Sequence, residues 1–255
     1  MDRWFLIAAT LLAAVGGALG MISVHRGKRT QWTVAWVAAA FLCQIGFLSV
    51  RGEWRAACPL MDRGEILAFL AWSLTLFYLW VGPAYRISLL GVFTAPLVVI
   101  FQSLALIPGT LTANPLKIVG SNPWHETHSA MSVLSYGALA LAAVAGIMFL
   151  VLDRQLKEQH LKSGLFRNLP PVRELLVSLE RLLRLGTSLL TLGIIAGFLM
   201  PRAESAWGHL IAAMVVWLSY AALLAVKQIR GLTGRRLSLS AVILFVLSLA
   251  VFAFV

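Results

Sequence analysis

Apolar residues in this chain come in long blocks, not in the alternation of half-buried strands. Eight blocks fall at about 4–24, 32–50, 65–82, 87–107, 127–152, 184–200, 206–227 and 237–255. Each is near the ~20 residues a helix needs to cross ~30 Å of hydrocarbon. Most polar segments between them are short, at about 25–31, 83–86, 201–205 and 228–236, so consecutive helices should be antiparallel neighbours. The pattern predicts an all-α fold: a polytopic membrane helix bundle of about eight transmembrane helices. The first block follows Met-Asp-Arg-Trp and is read as a span, not a cleaved leader, because seven more follow in register with the charges. No repeat or low-complexity tract is visible, and residues 1–255 read as a single integral membrane domain.

Three connections break the rule of short loops: 51–64, 108–126 and 153–183. The last opens with Asp153-Arg154-Gln155-Leu156-Lys157-Glu158, which should extend the fifth helix into water. Ser163-Gly164 and Leu169-Pro170-Pro171 then interrupt it. "PVRELLVSLERLLR" restarts a helix with proline suited to the first turn. Val172, Leu175, Leu176, Leu179, Leu182 and Leu183 share one face, and Arg173, Glu174, Glu180, Arg181 and Arg184 the other. Glu180 and Arg184 are spaced for an i, i+4 pair. This segment is expected to lie as an amphipathic helix at the cytoplasmic interface before turning into the sixth span. Pro96, midway along the fourth span, should kink it and free a carbonyl that the bundle interior must satisfy.

Composition agrees with the pattern. Mean hydropathy is +0.87 and 12% of residues are charged, about half the usual share in soluble domains. The net charge of +11 is unevenly placed: 15 of the 21 Lys and Arg follow spans one, three, five and seven. The other side has six, offset by Asp2, Glu53, Asp62, Glu65, Glu126 and Glu204. Under the positive-inside rule the first set is cytoplasmic and both termini lie outside. The basic surplus then faces anionic lipid, and no nucleic-acid partner is needed to explain it. Trp32, Trp36, Trp54, Trp124 and Trp207 lie near span ends, as an aromatic belt would.

Several chemistries are excluded by their missing signatures. The two cysteines, Cys43 within a span and Cys58 in a loop, differ in depth and form no paired-thiol motif. No His-Glu-x-x-His, no nucleophile elbow and no carboxylate pair within a span is present. An inverted repeat of broken helices is not visible either, which argues against a transporter. His25 and His160 sit among basic loop residues and read as solvated.

One stretch remains, "SNPWHETHSAMSVLSYG" at 121–137. Asn122-Pro123 is a plausible helix start. His125 then lies in the first turn and His128 three residues on, sharing a face that continues through Ser132, Ser135 and Tyr136. Polar groups descending into hydrocarbon normally face the bundle interior and mark a site. The positive end of a helix disfavours an imidazolium, so neutral imidazoles are expected, the form whose ring nitrogen can bind iron. An ordinary interhelical hydrogen bond is the competing role. Gln44, Gln102 and His209, each near an outer end, are further polar groups that could converge there.

The run from His128 through Ser135-Tyr136 and Gly137 resembles the His-x-x-x-x-x-x-Ser-Tyr signature of the cytochrome c assembly membrane protein family, which includes CcsA-type and CcmC-type haem-handling proteins. "LDRQLKEQHLK" and "PPVRELLVSLERLLRLGTSLLTLGIIAGFL" resemble its HemX- and YpjD-like branch. Ala206-Trp207-Gly208, Trp217 and "RGLTGRR" resemble its last segments. The resemblance covers roughly 85–245. It implies haem presented at the outer membrane face, with His128 matching the family's first external ligand histidine. Trp207 and Gly208 match the start of its tryptophan-rich segment. The chain departs from the family after Gly208, where "HLIAAMVVW" replaces the rest of that segment, and at Ala225, where the family carries a histidine.

The resemblance therefore implies a haem-binding, non-catalytic scaffold of the bacterial inner membrane, associated with cytochrome c biogenesis. His128 is the expected metal ligand, with His209 or His125 as its partner and Trp207, Tyr136 and Ser132 around the cofactor. Its partners would be cytochrome c biogenesis or haem-biosynthesis proteins. The alternative is a HemX-like regulatory or structural protein of the same fold that acts through its cytoplasmic segment 153–183.

Overall fold

The computed structural model describes residues 2–25, 32–84, 88–118, 120, 122–157, 172–200 and 207–254. Among them are eight helices: α1 (Asp2–His25), α2 (Trp32–Arg55), α3 (Arg63–Ala84), α4 (Ser88–Ala105), α5 (Pro123–Lys157), α6 (Val172–Leu199), α7 (Trp207–Arg230) and α8 (Gly234–Phe254). No strand occurs among the described residues. Six of the helices (α1, α2, α3, α5, α6 and α7) are long and apolar enough to cross a membrane; the described apolar stretch of α4, Leu90–Ala105, is shorter. The chain is a polytopic helical membrane protein. By contacts the described residues divide into two compact units, one holding α1 to α4 with the segment that follows α4, the other holding α5 to α8. The stretch 158–171, including the expected break at Ser163-Gly164, lies outside the described residues.

In the first unit α1 packs antiparallel on α2 because glycines let the backbones approach. Gly46 faces the Phe5 ring, and Gly20 faces Thr33, where a Cβ would come within 3.1 Å. Pro96 stays inside α4 on its exposed side without ending the helix. Small residues at helix contacts are the rule where lipid removes the hydrophobic drive to associate.

Arg51 and Arg55, in the last turns of α2, form a buried cluster that the sequence reading missed. Arg51 is 0% exposed. Its guanidinium is 3.3 Å from Asp2, 2.9 Å from Asp62 and 3.0 Å from Glu65. Arg55 meets Asp62 at 2.9 Å and Glu65 at 2.8 Å. Asp2, Asp62 and Glu65, counted from sequence among the acids of the outer side, tie together the start of α1, the end of α2 and the start of α3. Glu65 also accepts the Met61 and Asp62 N–H groups at 3.0 and 3.1 Å, the returning half of a capping box. The segment after α4 closes over the cluster. Asp62 accepts both the N–H and hydroxyl of Thr112, and Arg51 donates to the Thr112 carbonyl.

In the second unit α5 and α6 are antiparallel with a seven-residue beat. Ser132, Leu139 and Gly146 on α5 meet Gly193, Gly186 and Leu179 on α6, a glycine standing opposite a larger side chain each time. A heptad spacing is the signature of near-parallel helices packed knobs-into-holes. The expected amphipathic helix is not separate: Val172–Leu199 is one continuous helix of 28 residues. Leu175, Leu179, Leu182 and Leu183 are at most 1% exposed, so this apolar face packs inside the unit and does not lie on lipid. The charged face is as read, with Glu180 paired to Arg184 and, at 3.8 Å, to Lys227. The α5 extension past the span also holds, with Lys157 paired to Asp153 at 2.8 Å. After α7, Gly231 takes φ +66° and its N–H returns to the Lys227 carbonyl, a left-handed cap that glycine adopts without strain.

Replacing Arg51 by Met leaves three carboxylates around an apolar chain. Breaking a buried pair this way typically costs ~3–5 kcal/mol, so Arg51→Met should lower the detergent melting temperature sharply; an unchanged melt would contradict the cluster's structural role. The cluster also sets an acid limit. Burial alone would raise the Asp62 carboxyl, but the Thr112 bonds and the Arg55 charge outweigh it and hold Asp62 below its ordinary range. Stability from a carboxylate with a lowered folded pKa is present above its unfolded pKa and lost as pH falls through the folded value. Segment 108–118 should therefore resist proteolysis at pH 5 and become cleavable only below about pH 4.

Candidate functional site

The site is built from the first three turns of α5. Asn122 caps the helix: its Oδ1 accepts the Trp124 N–H at 3.0 Å and its carbonyl those of His125 and Glu126 at 3.0 and 3.2 Å. Pro123, lacking an N–H, takes the first position, where none is needed. His125 points outward and is exposed, whereas His128 is half-buried against α6.

His128 Nδ1 lies 2.7 Å from the Gly193 carbonyl oxygen. A carbonyl only accepts, so Nδ1 carries the proton in this contact, and the tautomer follows from the partner. A neutral imidazole held this way has its lone pair on Nε2. The ring rests on Gly197, where a Cβ would sit 2.8 Å from Nδ1. Gly193-Ile-Ile-Ala-Gly197 is thus a small-x-x-x-small surface that admits the ring and supplies its acceptor.

Other sequence-derived candidates are taken up by packing. Ser132 fits against Gly193, where a Cβ would lie 3.0 Å from its Oγ. Ser135 is fully buried and donates back to the Ser132 carbonyl at 2.7 Å. Tyr136, 7% exposed, donates to the Ser248 carbonyl on α8 at 3.3 Å. The polar stripe is therefore largely an interhelical seam, with His128 at its end. Trp207 and His209 lie in the first turn of α7, and their side chains lie outside the described residues. Gln44 and Gln102 belong to the first unit. Trp217 fastens α7 to α6, donating to Thr191 Oγ1 at 2.8 Å. Neither Cys43 nor Cys58 is in a disulfide.

The donor chemistry at His128 would suit a ligand to haem iron. Ligating histidines usually donate the other ring N–H to a carbonyl or carboxylate, which fixes the ring and raises its basicity. Among the described residues no group of three or more His, Cys, Asp or Glu side chains is arranged to hold a metal ion.

Comparison with known proteins gives a family. The family model described as cytochrome c assembly protein matches residues 61–255, so the resemblance begins earlier than the motifs alone indicated. The cytochrome c biogenesis protein CcsA of Synechococcus sp. (strain CC9902) is 30% identical over 266 aligned residues, covering 92% of this chain and 87% of that protein. The CcsA of Gloeobacter violaceus is 28% identical, covering 82% and 78%. That of Crocosphaera subtropica is 29% identical, covering 78% and 77%.

The packing makes Gly186 a test of the seam below the histidine. A Cβ there would lie 2.7 Å from Leu139 Cγ, and overpacking of this kind typically costs ~1–3 kcal/mol. Gly186→Ala should lower the melting temperature, and Leu139→Ala in the same chain should recover part of the loss. Independent, additive effects would contradict the assigned register.

Proposed function

Because the chain belongs to the cytochrome c assembly protein family, we propose that it is a haem-handling membrane protein in which His128 would be a ligand to haem iron and no catalytic turnover is involved. The observation that carries this reading is the 2.7 Å contact between His128 Nδ1 and the Gly193 carbonyl, which leaves Nε2 as the coordinating atom. Haem bound there would supply only its iron and its flat apolar ring. The protein's part is to hold His128 in one tautomer and orientation. The second ligand would come from His209 or His125, and Trp207 would stack on the ring. By the charge pattern this end of α5 faces outside, and the membrane is the bacterial inner membrane. Assignment to the HemX- and YpjD-like branch belongs to the same reading and is supported by the α6 sequence. The partners would be other proteins of cytochrome c biogenesis or of haem biosynthesis.

The alternative, a role carried by the cytoplasmic segment 153–183, rests in part on residues 158–171, which lie outside the described residues. Among its described residues, Leu175, Leu179, Leu182 and Leu183 are buried in the second unit.

Protein purified in detergent from haem-replete cells should show a Soret band that shifts on reduction. His128→Ala should reduce the band several-fold. Gly197→Val keeps the imidazole but occupies the place where its ring rests, and should reduce the band as well. Colourless wild-type protein, or a band unchanged in both variants, would contradict the proposal.

A further inference from the structure

In the second unit α7 is far less enclosed than its neighbours: 17% of its apolar window is buried, against 50% for α6 and 83% for α5. It packs on α6 and α8, and among the described residues it buries Val216, Tyr220 and Leu223. Two contacts give its register on α6. Trp217 donates to Thr191 Oγ1, and Lys227, ten residues on, meets Glu180, eleven residues back, so the two helices are antiparallel. Carried six residues toward the start of α7, the same register sets Ile211 level with Gly197, where the His128 ring rests. The first turn of α7, which carries Trp207 and His209, therefore lies within about one turn of the depth of His128.

On the α8 side the attachment is polar and incomplete. Tyr220 is 1% exposed, and no hydrogen-bond partner reaches its hydroxyl. The polar groups that face this hydroxyl are the Ser248 side chain and Tyr136. Ser248 already accepts Tyr136 on its carbonyl and donates its own hydroxyl proton to the Phe245 carbonyl at 2.8 Å. Its Oγ keeps lone pairs for a further donor. A buried hydroxyl left unpaired is costly, so a small closing of α7 on α8 that joins Tyr220 to Ser248 Oγ is favoured. Trp217 alone fastens α7 at one point near its middle, which leaves tilt free; a second point on a different neighbour removes it. We propose that Tyr220 is a positioning residue: its hydroxyl, closing on Ser248 Oγ, fixes the first turn of α7 relative to His128. Ser248 then ties both helices that carry the candidate ligands, α5 through Tyr136 and α7 through Tyr220. The purpose of this arrangement rests on the haem reading above; the arrangement itself does not.

Two measurements on the full chain in detergent test it, and the first needs no haem. Nitroxides attached through Thr127→Cys and Ile211→Cys, both at exposed positions, report the separation of the outer ends of α5 and α7 once Cys43→Ala and Cys58→Ala have removed the native thiols. Pulsed EPR should give one narrow distance in this background and a shifted, broadened one in Tyr220→Phe and in Ser248→Ala. The Tyr220→Phe/Ser248→Ala double variant should be no broader than either single, because both remove the same bond. An outer distance unchanged in Tyr220→Phe would overturn the proposal even if the melting temperature fell, since the hydroxyl would then serve stability alone. Additive broadening in the double variant would overturn it too. In protein that carries haem, Tyr220→Phe should keep the Soret band but shift it toward the high-spin form, whereas His128→Ala loses it; a spectrum identical to the wild type's would overturn the positioning role. Colourless wild-type protein would defeat the haem reading instead, and the distances would still decide what Tyr220 does.

Discussion

Two helix backbones can touch only where a side chain is missing, and the second unit is organised around that constraint. Along α5 and α6 a glycine stands opposite a larger residue at every step of the seam: Gly146 by Leu179, Gly186 by Leu139, Gly193 by Ser132 and Gly197 by His128. Lipid gives helices little hydrophobic reason to associate, so close van der Waals packing must hold them. At the last step the larger residue is an imidazole in place of a leucine. The seam that binds the helices thus also immobilises the ring, and the exposed backbone of Gly193 provides its acceptor. Structure and chemistry meet in one residue pair.

The first unit solves a different problem. Its helix ends are joined by Arg51 and Arg55 with Asp2, Asp62 and Glu65, and these groups satisfy one another with help from Thr112. Two cations facing three carboxylates leave one surplus negative charge if all are ionised. Such a cluster is weak evidence for net stability but a strong constraint on geometry, because removing one member strands the others. Beneath it the buried Phe47 and Gln44 follow in order along α2.

Much of this was legible in the sequence. Block length gave eight helices close to the observed ones, and Asn122-Pro123 marked the start of α5. The spacing of His128, Ser132 and Tyr136 put them on one helix face. What could not be read was partnership. Periodicity shows that Ser132 and Tyr136 share a face with His128 but not that Gly193 and the Ser248 carbonyl await them. Asp2, Asp62 and Glu65 were read only as outer-side charge because their cationic partners, Arg51 and Arg55, lay in the segment 51–64 taken as loop. Leucines on one side of Val172–Arg184 fit a lipid surface and a protein interior equally well, and the second won because α5 and α8 lie against them. Gly193-x-x-x-Gly197 was the one available signal for the position of His128, a small-residue pair four apart in an apolar run.

The claim on which the account rests is the protonation pattern of one ring. Solid-state NMR of the protein in bilayers, with ¹⁵N-labelled histidine and His128 assigned by its loss in His128→Gln, reads the two ring nitrogens separately. The account predicts that Nδ1 carries the proton hydrogen-bonded to Gly193 and that Nε2 carries the lone pair. A His128 ring protonated at Nε2 and not at Nδ1 would contradict it.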